Sequence, residues 1–119
     1  MANLTAAEVL SQVDTLLPNQ YTAAEKLRWL RQAEGFVRRE ILCDGIELPD
    51  ISMETELLVP APYDELYRCY LEAQIHYANA EMTRYNNAST AWNNAFLTYR
   101  DYHARTAMPK TKAGHLRLC

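Results

Sequence analysis

The sequence predicts an all-α fold, a small helical bundle, and three observations carry that reading. Only three glycines and five prolines punctuate 119 residues, so long stretches lack the residues that stop helices. The motif Thr-Ala-Ala-Glu occurs twice, at residues 5–8 and 22–25. Each copy reads as a capping box, a threonine followed three residues later by a glutamate. Further along, a mostly apolar seam (Leu71, Ile75, Ala78, Met82, Tyr85, Ser89, Trp92, Phe96, Tyr99, His103) advances by alternating steps of four and three, the period of one helix face. A hydrophobic fraction of 49% and a charged fraction of 23% are ordinary for a soluble domain. The length suits one domain with a modest core.

The first helix opens at the Thr5 box. Val9, Leu10, Val13, Leu16 and Leu17 follow at helical spacing, and Pro18-Asn19 ends the element. The second opens at the Thr22 box and is read over residues 22–42. Its stripe is Leu27, Leu30, Ala33, Val37 and Ile41, with Trp29 and Phe36 widening the buried face. Gly35 costs about 1 kcal/mol against alanine inside a helix and marks a close contact. Arg28, Arg31, Arg38 and Arg39 alternate with Glu25, Glu34 and Glu40, which reads as a salt-bridged surface rather than a phosphate track.

Residues 43–62, "CDGIELPDISMETELLVPAP", change character, because Gly45, Pro49, Pro60 and Pro62 exclude a long helix. Two readings stay open for this segment: an extended arm, ordered by a neighbouring chain, or a short β-hairpin. Twenty irregular residues inside a small domain are unusual and often functional.

The third helical region begins after Pro62, with Asp64 and Glu65 at its positive end. It contains "YNNASTAWNNAF", with Asn86, Asn87, Asn93 and Asn94 within nine residues. Asparagine is a poor helix former, because its amide competes for nearby backbone groups. The seam nevertheless keeps its phase across these residues, so one long helix over about residues 63–104 is expected, roughly 60 Å long, with room for a kink near residues 86–90. The alternative is two helices broken at residues 86–90, with Asn87 or Ser89 capping the second. Tyr85, Trp92 and Tyr99 recur every seven residues beside Phe96, and Asn86 and Asn93 flank them. These flanking amides are expected to bond across a helix–helix or subunit contact. Tyr67, Tyr70 and Tyr77 add a second apolar face near Leu66 and Leu71. A helix with two apolar faces is buried between layers or shared with another subunit.

The net charge of −3 is unevenly spread: residues 104–119 carry +4 and no acid, which leaves −7 on the remainder. An acidic body argues against wrapping nucleic acid with the folded surface. Cys43, Cys69 and Cys119 are odd in number and widely spaced, unlike a disulfide framework or a zinc site. "MANLTAAEVL" has neither a basic start nor a long apolar run, so no signal peptide is expected, and no stretch reaches membrane-span length. Glu72 and His76 lie four apart on one helix, but two ligands do not make a metal site. No Gly-rich phosphate loop or nucleophile–base pairing is legible, so neither catalysis nor a cofactor is expected.

With these features in order, the chain over about residues 15–107 resembles the head-to-tail connector (adaptor, head-completion) proteins of tailed bacteriophages and prophages. The segments that carry the likeness are "LLVPAPYDELY" and "YNNASTAWNNAF", which are packing motifs rather than chemical signatures. The resemblance implies a structural virion protein that self-associates into a ring, expected to be twelve-fold, beneath the portal. It implies portal protein and the next neck or tail component as partners, and DNA passing through the lumen without sequence-specific binding. It implies no membrane partner, and a place in the virion neck after a stay in the host cytoplasm. It further implies a single adaptor domain over residues 1–107, with an arm at about residues 43–62 that includes Glu47, Ile51, Leu57 and Leu58. A portal-docking tail at residues 108–119, with Arg105 leading into it, would use Lys110, Lys112, Leu116 and Arg117. A small helical prophage module that regulates or binds another protein is the alternative.

Overall fold

A computed structural model describes residues 3–43 and 45–107. The fold is all-α, with four helices: α1 (Ala6–Leu16), α2 (Ala23–Val37), α3 (Glu65–Ala78) and α4 (Met82–Ala107). A π-helical turn, Arg38–Leu42, extends α2 and ends at Cys43, whose φ of 51° reverses the chain. The tail residues Lys110, Lys112, Leu116 and Arg117 lie outside the described residues.

Both threonine caps form. Thr5 accepts from the Glu8 N–H, and the Glu8 carboxylate accepts from the Thr5 N–H, a complete capping box. Thr22 accepts from the Glu25 N–H at 3.1 Å, while the Glu25 carboxylate turns to Arg28. The α2 stripe buries Leu30, Ala33, Val37, Ile41 and Trp29. Phe36 departs from the expectation of burial: it is 48% exposed, and its ring leans in tilted contact on Tyr70 and Trp92.

Residues 51–59 form neither helix nor strand: they turn at Met53-Glu54 and bend at Leu58-Val59, and they are docked on the domain rather than free. The first turn of a helix leaves N–H groups without intrahelical partners, and this segment supplies acceptors for α1. Ala6 N–H bonds the Thr55 carbonyl and Ala7 N–H the Met53 carbonyl, both at 2.9 Å, while Leu57 N–H returns to the Leu4 carbonyl at 2.9 Å. A single antiparallel bridge, Thr5 to Glu56, is the only strand-like pairing among the described residues, so no β-hairpin forms there. Leu57 and Val59 enter the core, at 2% and 0% exposure.

Buried charges fasten these pieces. Glu34, 3% exposed, accepts from the Leu58 N–H at 3.0 Å and from the Tyr67 hydroxyl. That hydroxyl in turn accepts from the Val59 N–H at 3.0 Å. Burial raises the Glu34 carboxyl above its ordinary value, against the hydrogen bonds from Tyr67 and Leu58 and the Arg38 charge. Lys26, 5% exposed, pairs with Asp14 at 2.6 Å and with the Asn19 side chain at 3.2 Å, tying α1 to α2.

The largest departure from the sequence reading lies between residues 78 and 82. The expected single helix over residues 63–104 is two helices, and the break is not at residues 86–90, where α4 runs through without interruption. Asn79 ends α3, and Ala80 adopts a left-handed φ of 61°. Glu81 N–H bonds the His76 carbonyl at 2.9 Å and Ala80 N–H the Tyr77 carbonyl at 3.0 Å, the two bonds of a Schellman motif. Glu81 then opens α4 by accepting from the Tyr85 N–H at 2.8 Å. The three turn residues occupy as many positions as a helical turn would, so the seam's phase passes through them unchanged.

The helices therefore fold back as a hairpin. α3 packs against α4, α2 and α1, and Cys69, Tyr70 and Leu71 are all buried. Successive residues point about 100° apart around a helix, so three in a row leave little of its circumference wet. The second apolar face of α3 is thus covered within the chain, by layers of its own domain.

Candidate interaction surface

The hairpin is zipped by aromatic pairs. Tyr77 meets Tyr85 with ring centroids 5.2 Å apart, Tyr70 meets Trp92 at 4.9 Å, and Tyr63 meets Tyr99 at 5.7 Å. Each strand of this ladder advances by seven residues, and every rung is centred on Glu81 in sequence. Such pairs contribute roughly 0.5–1.5 kcal/mol each beyond area burial. Phe36 from α2 closes one side, 6.2 Å from both Tyr70 and Trp92, and Phe96 packs on Trp92 at 5.1 Å.

Of the nine residues expected at a helix or subunit interface, seven meet inside this chain. Tyr67, Tyr70 and Tyr99 are core residues; Trp92 and Phe96 are partly buried against the core; Tyr85 holds its rung. Tyr77 completes that rung but stays 59% exposed. Among the described residues Asn86 and Asn93 do not bond across a helix–helix contact, and both are exposed. The reason is rotational: in a hairpin whose inner face is the aromatic seam, the position after each aromatic turns about 100° away.

The outer face of α4 is therefore a surface of unusual composition. Asn86, Asn87, Thr90, Ala91, Asn93, Asn94 and Thr98 are all exposed. From Tyr85 to Tyr99 there is no charged residue. The threonine hydroxyls turn inward along the helix, Thr90 to the Asn86 carbonyl at 2.9 Å and Thr98 to the Asn94 carbonyl at 2.8 Å, which leaves the amides as the outward polar groups. Asparagine is tolerated here because the packed inner face, rather than propensity, holds the helix. Met82, 47% exposed, adds apolar area at the hairpin tip beside Tyr77.

The expected arm residues divide. Glu47 is exposed and Ile51 and Leu58 pack partly on the core, but Leu57 is a core residue. It is unavailable to a neighbour, because its N–H is committed to the Leu4 carbonyl and its side chain to the interior. Arg105 is exposed in the last turn of α4.

The titratable side chains near the hairpin are engaged with one another. Glu72 pairs with Arg68 at 3.0 Å. His76 Nδ1 meets the Glu81 carboxylate at 2.8 Å, which holds that carboxyl below its ordinary value. Burial pushes the Cys69 thiol up, which disfavours the reactive thiolate. Among the described residues no three His, Cys, Asp or Glu side chains converge to hold a metal ion, and no helix is long and apolar enough to cross a membrane.

No family model, no curated protein and no solved structure matches this chain.

The sequence reading missed three participants. Tyr63 is a rung, and its spacing to Tyr70 and Tyr77 mirrors that of Tyr85, Trp92 and Tyr99. Glu34 and Lys26 are buried, and both stand at stripe positions of α2, four residues from Leu30 on either side. A charge on an apolar stripe is the signal that identifies them.

Proposed function

We propose that this chain is a structural protein of a tailed-phage virion, without catalysis, which joins a ring beneath the portal and extends the DNA channel toward the tail. The observation that carries the reading is the charge-free outer face of α4, where exposed amides and small side chains run for about 18 Å on a long, well-braced helix. An isolated solvated helix face is ordinarily rich in Lys and Glu. Neutral amides, which both donate and accept, suit a packed protein neighbour, and interfaces are depleted in charge at their centres. The exposed Phe36, Tyr77 and Met82 supply apolar anchors at its edge. The resemblance of "LLVPAPYDELY" and "YNNASTAWNNAF" to connector proteins supplies the class of assembly, with portal protein and the next neck component as partners.

The test is co-sedimentation of the purified protein with assembled portal rings, followed by electron microscopy of the pellet. A ring of density on the tail-side face of the portal is expected. Absence of binding across a range of salt overturns the portal-proximal assignment.

A further inference from the structure

The aromatic seam occupies one side of α4 and leaves a second heptad on the other. Arg84, Asn87, Ala91, Asn94, Thr98 and Asp101 advance by alternating steps of three and four, the period of one helix face. All six are exposed. We propose that this face pairs with the same face of a second copy of the chain, antiparallel and about a two-fold axis midway between residues 92 and 93. The pair uses the face on which the connector reading rests, but it needs no portal, so either can fail without the other.

The order of charge selects a second copy in that direction. A base stands at one end of the face, an acid at the other, and uncharged residues lie between them. A two-fold contact must be complementary to itself, and this face meets that condition when turned end for end. Arg84 then lies opposite the partner's Asp101, and Asp101 opposite the partner's Arg84. The uncharged residues match as well, Asn87 opposite the partner's Thr98 and Ala91 opposite the partner's Asn94. A parallel pair would set arginine beside arginine and aspartate beside aspartate, and like charges across an interface oppose association. Neither charge has to be vacant for this. Arg84 lies 3.7 Å from Glu81 and Asp101 3.9 Å from Arg100, each along its own helix and each farther than a charge-assisted hydrogen bond. The Arg84 and Asp101 side chains remain 68% and 64% exposed, so the partner's charges add to these pairs rather than replace them.

Side-chain size permits the contact. Asparagine, alanine and threonine let two helix axes approach to about 8 Å, near enough for the Asn87 and Asn94 amides to reach polar groups of the other helix. With the Thr98 hydroxyl turned to its own helix, those amides are the donors and acceptors that the middle of the face offers.

Size sets the strength. From Arg84 to Asp101 the helix runs about 26 Å, and one helix–helix contact of that length buries less than the roughly 1,200 Å² of a standard interface. The pair is therefore weak, populated at about 0.1 mM protein and dissociated at a few micromolar. A two-fold contact closes with two copies, while a ring needs a contact that repeats head to tail. The pair is thus an unassembled form of the chain, and it covers the face that the connector reading gives to a neighbour.

Sedimentation equilibrium of the full chain from about 5 μM to about 1 mM should show the mass rising from one copy toward two. Ala91→Lys sets two like charges near the axis and should weaken pairing at least about tenfold. Ser11→Lys puts the same charge on an exposed position of α1 and should change it by less than about twofold. Direction is read by disulfide trapping at the upper end of that range, with the wild-type chain as background. In the antiparallel pair Asn87 and the partner's Asn87 stand 11 residues apart, about 16 Å along the helix, beyond the roughly 7 Å that a disulfide spans between Cα atoms. Asn87→Cys and Thr98→Cys should therefore each cross-link no more than the wild type when alone, and cross-link to one another when mixed. The pairing is overturned if the chain stays a single copy throughout, if Ala91→Lys pairs as well as the wild type, or if either cysteine variant alone cross-links as strongly as the mixture.

Discussion

The two helices of the hairpin share an aromatic heptad and differ in almost everything around it. In α3 the residues between the rungs include the buried Leu66, Leu71, Ala73 and Ile75 beside charged ones such as Arg68 and Glu72, and eight of its 14 residues are buried. In α4 the residues between the rungs are mostly asparagine, threonine, serine and alanine, and Tyr99 alone among its described side chains is buried. Both helices are held by the same ladder, so the ladder sets their register but not their exposure. What surrounds the seam decides whether a helix becomes the middle of a bundle or its outer wall. The contrast also relocates the evidence for assembly. The two-faced apolarity of α3 is satisfied by α4, α2 and α1, while the polar but uncharged back of α4 is exposed among the described residues.

The sharpest way to break this contrast is to truncate one leucine on each helix. Leu71→Ala on α3, at 0% exposure, should cost about 2–5 kcal/mol in urea unfolding. Leu97→Ala on α4, only half-buried, should cost about 1 kcal/mol or less, in proportion to the area it covers. Equal losses at micromolar protein would show that a second molecule already covers α4 in solution.

Next in size is the buried network that joins α3 to the segment at residues 51–59. Tyr67→Phe removes the donor to Glu34 and the acceptor of the Val59 N–H, and should cost about 1–3 kcal/mol. The same network carries a pH dependence. Glu34 is raised in the folded state, chiefly by burial. Its contribution is therefore fully present below the ordinary carboxyl value of 4.5 and is lost as the pH rises through the higher, folded value. Unfolding curves of the wild type and Glu34→Gln, compared from acid to neutral pH, should show the wild type losing ground relative to the variant as pH increases. A constant difference would mean that burial does not govern this carboxyl.

A smaller effect is expected at the turn, where Ala80 holds a left-handed backbone that costs a residue with a Cβ roughly 1–2 kcal/mol. Ala80→Gly should stabilise the hairpin by up to about 1 kcal/mol, net of the extra freedom glycine has when unfolded. The rise should be visible as an increase in Tm. Smallest of all for the isolated chain is the outer face: Asn86→Ala with Asn93→Ala should shift stability by about 0.5 kcal/mol or less, in the stabilising direction. The same pair should weaken co-sedimentation with portal rings, and unchanged binding would remove this face from the contact.

Local chemistry was legible in the sequence wherever one residue type does one job. Thr5, Glu8 and Thr22 declared their caps, Pro18 closed α1, and the stripe of Leu30, Ala33, Val37 and Ile41 declared the buried side of α2. The asparagines were legible too, as residues that continue a helix. The break at Asn79–Glu81 was hidden for a physical reason. Its left-handed residue is an alanine, not the glycine that usually marks such a cap, and a three-residue turn preserves helical phase. With the break hidden, the hairpin partners of α3 were invisible, and its second apolar face pointed toward another subunit. The docking of residues 53–57 on the start of α1 was hidden because it uses backbone groups, which every sequence possesses.

The ladder has a consequence for the order of events in folding. Its rungs join residues eight, 22 and 36 positions apart, so closing each one leaves a shorter loop for the next than it would face alone. Zipping outward from Glu81 spreads the loss of chain entropy over small steps. The bonds between Asn3 and Leu57 or Leu58 span 54 and 55 positions and offer no such succession. Low contact order in the C-terminal half and high contact order at the N-terminus make the hairpin the expected nucleus and the α1 clasp the last piece to close. A partner that engages α4 would then find its surface formed before the rest of the domain has finished folding.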